Sequence, residues 1–294
     1  MPVIRTNFAA QMRLARFRFG LRLQRLWASL IDQLLPWPAP TGLRASGLIA
    51  SLNTRAALRL CLASLERHRI SPPLPLLIAD NASSDGSAEW LQSYARSHPN
   101  VRLMLHPEIR WHGLWIDQAL EEAQGDLLFV IDSDLIVLGD SLIRRCQAYM
   151  RRHPECLILH ADPWCPGQAA QRQGTDAPLV EPSLSTWFLC IRTSLRQHSK
   201  ASFVAVFPEQ QPPRQGRAVM SDTGAKLIQD LQAQGLSQAV QVVPRLWRPL
   251  FHHIGSLSWL QWADSSGAWM AYKQAQLRWL EQQGEMLTRT KWAR

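Results

Sequence analysis

The hydrophobic positions of this chain change their period near residue 45. Before it, Met12, Phe19, Leu23, Leu26, Leu30 and Leu34 recur at helical steps and form one apolar stripe. They predict an amphipathic helix over 8–35, ended by Pro36. After it, short apolar runs alternate with longer helical patterns. Gly47–Leu52, Leu74–Ala79, Val101–Leu105 and Leu127–Ile131 read as strands. Arg55–His68, Ser87–Ser97 and Leu114–Gln124 read as the helices between them. This repeated order predicts an α/β fold with a mainly parallel, doubly wound sheet flanked by helices. Right-handed crossovers then bring the C-terminal strand ends to one rim, where open sheets bind ligands.

Beyond residue 140 the pattern loosens. Ser141–Arg152 reads as a helix, and Cys156–His160, Trp187–Ile191 and Gln241–Leu246 as strands. Asp222-Thr223-Gly224 opens a helix to about Gln234, closed by Gly235, and 265–283 forms a final helix. The stretches 162–182 and 208–217 are polar and Pro-rich, as lids and binding loops often are. The expected division is 1–40 (basic helix and Pro-rich linker), 41–257 (one α/β domain, its halves meeting near 140) and 258–294 (helical extension).

The rim concentrates the candidate chemistry. Asp132-Ser133-Asp134 ends the apolar run Leu127–Ile131, so two carboxylates project from a strand edge. Such a pair suits a hard divalent cation that keeps positions for water and phosphate; the plain alternative is a solvated turn. The loop Asp80-Asn81-Ala82-Ser83-Ser84-Asp85-Gly86-Ser87 follows the second strand, and Asn53 ends the first. Its Asx, Ser and Gly residues suit tight turns, with Ser87 as a candidate helix cap, and Asp80 can accept a hydrogen bond from a base or ribose.

Charge changes the picture at one end only. The net charge is +9, and residues 1–35 hold six arginines against Asp32. The body is therefore mildly basic, which argues against a broad nucleic-acid surface. Arg18, Arg22 and Arg25 lie off the apolar stripe, a pattern that suits a membrane interface with anionic lipid. Packing on the body and a transit peptide are the alternatives for this helix. No run reaches the ~18 uncharged residues of a membrane span. Cys61, Cys146, Cys156, Cys165 and Cys190 are scattered, without a CxxC pair. Free thiols in a reducing compartment follow, hence a cytoplasmic protein, peripheral on the inner face of a membrane if the helix docks there.

The order of strand end at Asn53, Asp80–Ser87 loop, Asp132–Asp134 triplet and Asp222 segment resembles an inverting GT-A-fold glycosyltransferase of family 2 type, over roughly 45–257. Gly113 and Asp117-Gln118-Ala119 resemble the family's intervening helix. The resemblance implies a nucleotide-diphosphate sugar, UDP-sugar favoured, and Mn²⁺ or Mg²⁺. Ser51, Asn53, Asp80, Asn81, Asp85 and Asp132 would line the nucleotide pocket, with Asp80 on the base. Asp132, Asp134 and His253 would ligate the metal, with His252 as second candidate. Asp222 would be the base that deprotonates an acceptor hydroxyl, and Asp162 the runner-up. Family members often carry Glu before that Asp; Ser221 stands here instead.

Tryptophans carry two readings, because aromatic faces suit sugars as well as cores. Trp115 and Trp187 are expected in the core, Trp164 at the acceptor and His112-Gly113 near the donor, with a plain turn before the helix as the alternative there; Trp111 keeps both readings. Two other readings compete. A nucleotidyltransferase should show a Gly-rich phosphate loop after the first strand, and Ser51-Leu52-Asn53-Thr54-Arg55 has no glycine. A membrane-bound scaffold of the same fold without turnover should not need Asp80, Asp132, Asp134 and Asp222 together.

Overall fold

The computed structural model describes residues 2–67, 73–161, 179–181, 183–207, 210, 219–255, 257 and 268–290. Helix α1 (Pro2–Leu34) precedes a regular alternation: β1 (Ala45–Ser51), α2 (Arg55–Arg67), β2 (Leu76–Asn81), α3 (Ser87–Ser97), β3 (Val101–His106), α4 (His112–Glu122) and β4 (Leu127–Ile131). The acidic triplet turns β4 into β5 (Leu135–Val137), and α5 (Leu142–Arg152), β6 (Ile158–His160), β7 (Leu179–Val180), β8 (Phe188–Arg192), β9 (Val219–Met220), β10 (Val240–Val242) and β11 (Phe251–His253) complete the strands used below. The last helix is Ala268–Thr290.

Seven strands form one sheet in the order β10-β6-β8-β4-β1-β2-β3. β1 pairs in parallel with β2 and with β4, β2 with β3, and β10 with β6. Only β8 runs antiparallel, against β4 and β6. β4 is buried at all five positions, as a central strand covered on both faces must be. One face packs Leu58, Leu62, Leu91, Phe129 and Phe188; the other packs Leu48, Trp115, Ile116, Val130 and Leu227. The expected GT-A-like α/β architecture is thus the one observed.

Three local expectations need correction. Gln241–Leu246 is a strand only at Val240–Val242, because Pro244 cannot donate to a ladder and starts a 3₁₀ turn over Arg245–Leu250. β11, unforeseen, pairs antiparallel with β5 and sets His253 beside Leu135. The helix expected at Asp222 starts at Ala225 behind Gly224, whose φ of 78° is the left-handed region.

Both chain ends fold back onto the body. Helix α1 packs through Ala10, Leu21, Ala28 and Ile31, whose small and aliphatic side chains are buried. Gln24 Nε2 donates to the Phe251 carbonyl at 2.6 Å, and Gln24 Oε1 meets His252 Nδ1 at 2.7 Å. Asp32 accepts from the Asp140 backbone N–H and the Ser141 hydroxyl. In the C-terminal helix, Lys273 is buried, and its Nζ donates to the Gly255 carbonyl at 2.6 Å.

Candidate active site

The rim expected from the βα order exists because β1, β2 and β4 are parallel neighbours. Register pairs Ser51 with Asp80 at the ends of β1 and β2, and Asp132 follows β4 on the other side of β1. Beneath the rim, hydroxyls link the strands. Ser51 Oγ lies 3.1 Å from Thr54 Oγ1, which donates to Ser133 Oγ at 2.8 Å. The middle residue of the acidic triplet therefore points inward as an anchor, and its two neighbours are left to the site.

Asp132, Asp134 and His253 come together. Their ligand atoms all lie within 4.8 Å of one another. His253 Nε2 stands 3.1 Å from Asp134 Oδ1 and 3.4 Å from Asp132 Oδ2. The β5–β11 pairing produces this, reinforced by the Ile254 N–H donating to the Asp134 carbonyl at 3.1 Å. Trp187 lies flat on the His253 ring, with centroids 4.8 Å apart and planes 8° apart. The Trp187 carbonyl also accepts the Asp132 N–H at 3.0 Å. Trp187, expected in the core, packs half-buried against it and also clamps two of the three groups.

The electrostatics follow from this crowding. Burial alone would lower the His253 pKa, but hydrogen bonds and charge from Asp132 and Asp134 outweigh it and push it up to about 9. Burial opposes ionisation of Asp132, yet contact with His253 and the charges of His112 and His253 hold its carboxyl below the usual range. His252 behaves oppositely: burial and the His253 charge push it down to about 4, so it is neutral and bonded to Gln24. In this chain His253, rather than His252, faces the carboxylates.

Two carboxylate oxygens and one imidazole nitrogen at this spacing fit a divalent cation with free coordination positions. A proton shared through His253 occupies the same place between the carboxylates. His112, at the start of α4, brings Nε2 to 3.9 Å from Asp132 Oδ1; that nitrogen is buried without a hydrogen-bond partner among the described residues. Its reach was anticipated only as an approach of His112-Gly113 to the rim.

The loop residues divide into locks and one open acceptor. Asn53 adopts a φ of 53° and its Oδ1 accepts the Ser84 N–H at 2.7 Å. Asn81 holds Arg110 by two bonds of 2.7 and 2.8 Å. Asp85 accepts the Arg55 N–H at 2.9 Å and the Ser87 N–H at 3.0 Å, so Asp85 rather than Ser87 ties down the helix start. Asp80 is different. Its Oδ2 accepts the Ser83 N–H at 3.0 Å, while Oδ1 is buried with no partner among the described residues. A buried carboxylate oxygen without a donor costs free energy unless something external supplies one.

Asp222 stands ahead of its helix. Its Oδ1 accepts the Thr223 N–H at 2.7 Å, and Gly224 occupies the capping position, so Asp222 is not the helix cap. The segment is tied to the rim indirectly. Gly224 N–H bonds the Phe203 carbonyl at 3.0 Å, and a Cβ on Gly113 would sit 2.5 Å from that same carbonyl. The close approach explains a glycine directly after His112. Behind Asp222, Ser221 Oγ donates to the buried Glu181, whose Oε2 lies 3.7 Å from Lys226 Nζ. Glu181 had no signal in the sequence, because it arrives from a two-residue strand. Trp164 and Asp162 lie outside the described residues. Trp111 is exposed beside Phe207, with ring centroids 5.0 Å apart, and Trp115 is fully buried as expected.

Comparison with known proteins meets this geometry from outside. Residues 46–201, more than half of the chain, match the family described as Glycosyl transferase family 2. A protein of Bacillus subtilis (strain 168) named "Uncharacterized glycosyltransferase YfnE" is 29% identical over 107 residues, 36% of this chain and 27% of that protein. The chain thus spans about a quarter of that curated relative. Among solved structures, the "Mannosyltransferase PcManGT from Pyrobaculum calidifontis in complex with GDP-Man and Mn2+" is similar over 96% of this chain and 85% of that one, with TM-score 0.50 and 15% identity. TarS of S. aureus is similar over 74% of this chain and 38% of that one, at TM-score 0.48 and 16% identity.

Proposed function

We take as premise that the chain belongs to glycosyl transferase family 2, and we propose that it moves a sugar from a nucleotide-diphosphate donor to an acceptor hydroxyl, with a divalent metal and with inversion. The observation that carries this is the convergence of Asp132, Asp134 and His253 on the same strand rim as Asp80, whose Oδ1 has no hydrogen-bond partner among the described residues. Mn²⁺ or Mg²⁺ held by these three groups would offset the charge that builds on the leaving diphosphate. The fold neighbour solved with GDP-Man and Mn²⁺ supports such a pairing of donor and ion.

The chain's own residues have the following roles. Asp80 Oδ1 accepts a base N–H, such as N3–H of a uracil, the base of the donor we favour. Backbone around Ser51 and Asn53 lines the nucleotide, and Asn81 and Asp85 hold that loop in shape. Asp132 would hold the metal and face the ribose. Asp222 removes the proton of the acceptor hydroxyl as that oxygen bonds to the anomeric carbon, whose bond to the diphosphate oxygen breaks on the opposite face. Glu181, through Ser221, braces the turn that presents Asp222. Trp164 is the proposed acceptor contact. Residues 41–257 are the catalytic unit, and the acceptor belongs to cell-envelope polysaccharide or glycolipid synthesis.

The test is a panel of UDP- and GDP-sugars, assayed with Mn²⁺, with Mg²⁺ and with chelator, for binding and for slow release of the nucleotide. Metal-dependent hydrolysis of a UDP-sugar is expected. Failure of every donor to bind in the presence of either ion would overturn the reading, and binding without any turnover would favour the inactive scaffold.

A further inference from the structure

Helix α1 leaves its larger apolar face uncovered. Nine of the fourteen large hydrophobic side chains exposed among the described residues lie between Phe8 and Trp37. Phe19, Leu26 and Leu34 are 63%, 68% and 70% exposed, and Leu23, Trp27 and Leu30 line up with them. The helix cannot roll to hide this stripe. Leu21, Ala28 and Ile31 are buried on the opposite side, while Gln24 and Asp32 are hydrogen-bonded to the body. An apolar patch of this length on a fixed helix marks an interaction surface.

Charge identifies the occupant. Arg18, Arg22 and Arg25 are exposed along one flank of the stripe. With Arg67 they line two adjoining clefts, of about 180 and 440 Å³, that share Arg25. Among the described residues neither Arg25 nor Arg67 forms an ion pair, although both line the larger cleft. Asp32 and Asp140 also line the larger cleft, but the Asp32 carboxylate is taken up by the Asp140 N–H and the Ser141 hydroxyl. Four guanidinium groups beside a Leu- and Trp-rich stripe match the headgroup and acyl layers of an anionic bilayer. No helix among the described residues is long and apolar enough to cross a membrane, so a helix seated there would lie in the interface plane.

We propose that the outer face of α1 docks the protein onto an anionic lipid surface, with lipid phosphates seated in the Arg18–Arg22–Arg25–Arg67 clefts and Leu26 and Trp27 in the acyl boundary. This goes beyond the transfer reading and does not depend on it, since a chain without turnover would still dock. It also gives α1 a place next to the chemistry. The inner face of the same helix holds β11 through Gln24, one residue from His253. Docking therefore brings the rim close to the bilayer surface and suits an acceptor carried by a lipid.

The test is sedimentation of the full chain with vesicles of phosphatidylglycerol and phosphatidylcholine, against phosphatidylcholine alone, at low and high salt. Strong binding to the anionic vesicles, weakened by salt, is expected. Replacing Leu26 and Trp27 together by Ser should weaken it at least about tenfold. Arg22→Gln with Arg25→Gln should weaken it about tenfold on anionic vesicles only. Both variants should keep the wild-type melting temperature and donor hydrolysis, since these side chains do not pack on the body's core. Equal binding to neutral vesicles, or unchanged binding by the Leu26 and Trp27 variant, would overturn the proposal. So would a wild type that ignores vesicles but is a dimer by light scattering and becomes a monomer in that variant; a second copy would then be the occupant.

Discussion

The rim segments proposed to hold the donor and the Asp222 segment proposed to serve the acceptor are built by different means. From β1 to β4, Asp80 sits near the end of β2 and Asp132 and Asp134 follow β4 in an unbroken parallel ladder, and the loops between are cross-locked by Asn53, Asn81 and Asp85. From β7 onward, Asp222 rests on a strand of two residues, braced by Glu181, Ser221 and the Gly224–Phe203 bond. Long ladders fix the first half, whereas the second is held by a two-residue ladder, a single Val206–Ser221 bridge, isolated backbone bonds and the Ser221–Glu181 contact. The difference teaches where a substitution should act. On the donor side it should remove binding with little change of shape, and on the acceptor side it should disturb transfer while donor binding persists.

The largest effect that would sharpen this contrast is on the donor side. Asp134→Ala should lower metal-dependent donor turnover by about a thousandfold, and calorimetry should show that metal-dependent nucleotide binding is lost. Asp222→Asn comes next. It should keep donor affinity within about twofold and lower transfer by a hundredfold or more, the usual range for a lost general base. A variant that loses donor binding in parallel would break the comparison, because the two halves would then act as one.

Smaller effects come from the groups that hold the site. In the metal-free protein His253 carries a proton up to about pH 9, so a metal must displace it. Apparent metal affinity should therefore rise with pH by up to about tenfold per unit and level off near 9. The sign for stability is the reverse. Because its folded pKa lies above its ordinary 6.5, His253 stabilises the metal-free fold fully below 6.5, and that contribution is lost as pH rises through about 9. Gly113→Ala forces a Cβ to 2.5 Å from the Phe203 backbone, and should cost about 2 kcal/mol in denaturant unfolding. The smallest is Gln24→Ala, which frees β11 from α1 and should weaken metal binding about threefold, by a ligand two steps removed.

How far the sequence could be read follows from the same contrast. Asp80, Asp132 and Asp134 were legible because contiguous apolar strands precede them, and strand length with parallel order sets where their side chains emerge. His253 was reached by resemblance alone, since β11 has three residues and no periodicity to detect. Trp187 was legible as a core residue, but its stack on His253 was not, because a tryptophan beside a core strand reads the same with or without a histidine on its other face. Glu181 and Ser221 meet only through tertiary folding, so no spacing could announce them. The N-terminal helix was legible in existence but its orientation was not. Its contact with the body uses Ala10, Ala28, Leu21, Ile31 and a glutamine, a faint pattern, whereas the prominent stripe at Met12, Phe19, Leu23, Leu26, Leu30 and Leu34 faces outward.

The central claim is that Asp132, Asp134 and His253 together hold the ion that carries the donor diphosphate. It is tested most directly by pulsed electron paramagnetic resonance of Mn²⁺ bound to the protein with UDP. A nitrogen coupling from one directly bound imidazole is expected in the wild type, absent in His253→Gln and retained in His252→Gln. Mn²⁺ held with UDP but without nitrogen coupling, or a coupling that survives in His253→Gln, would contradict the account.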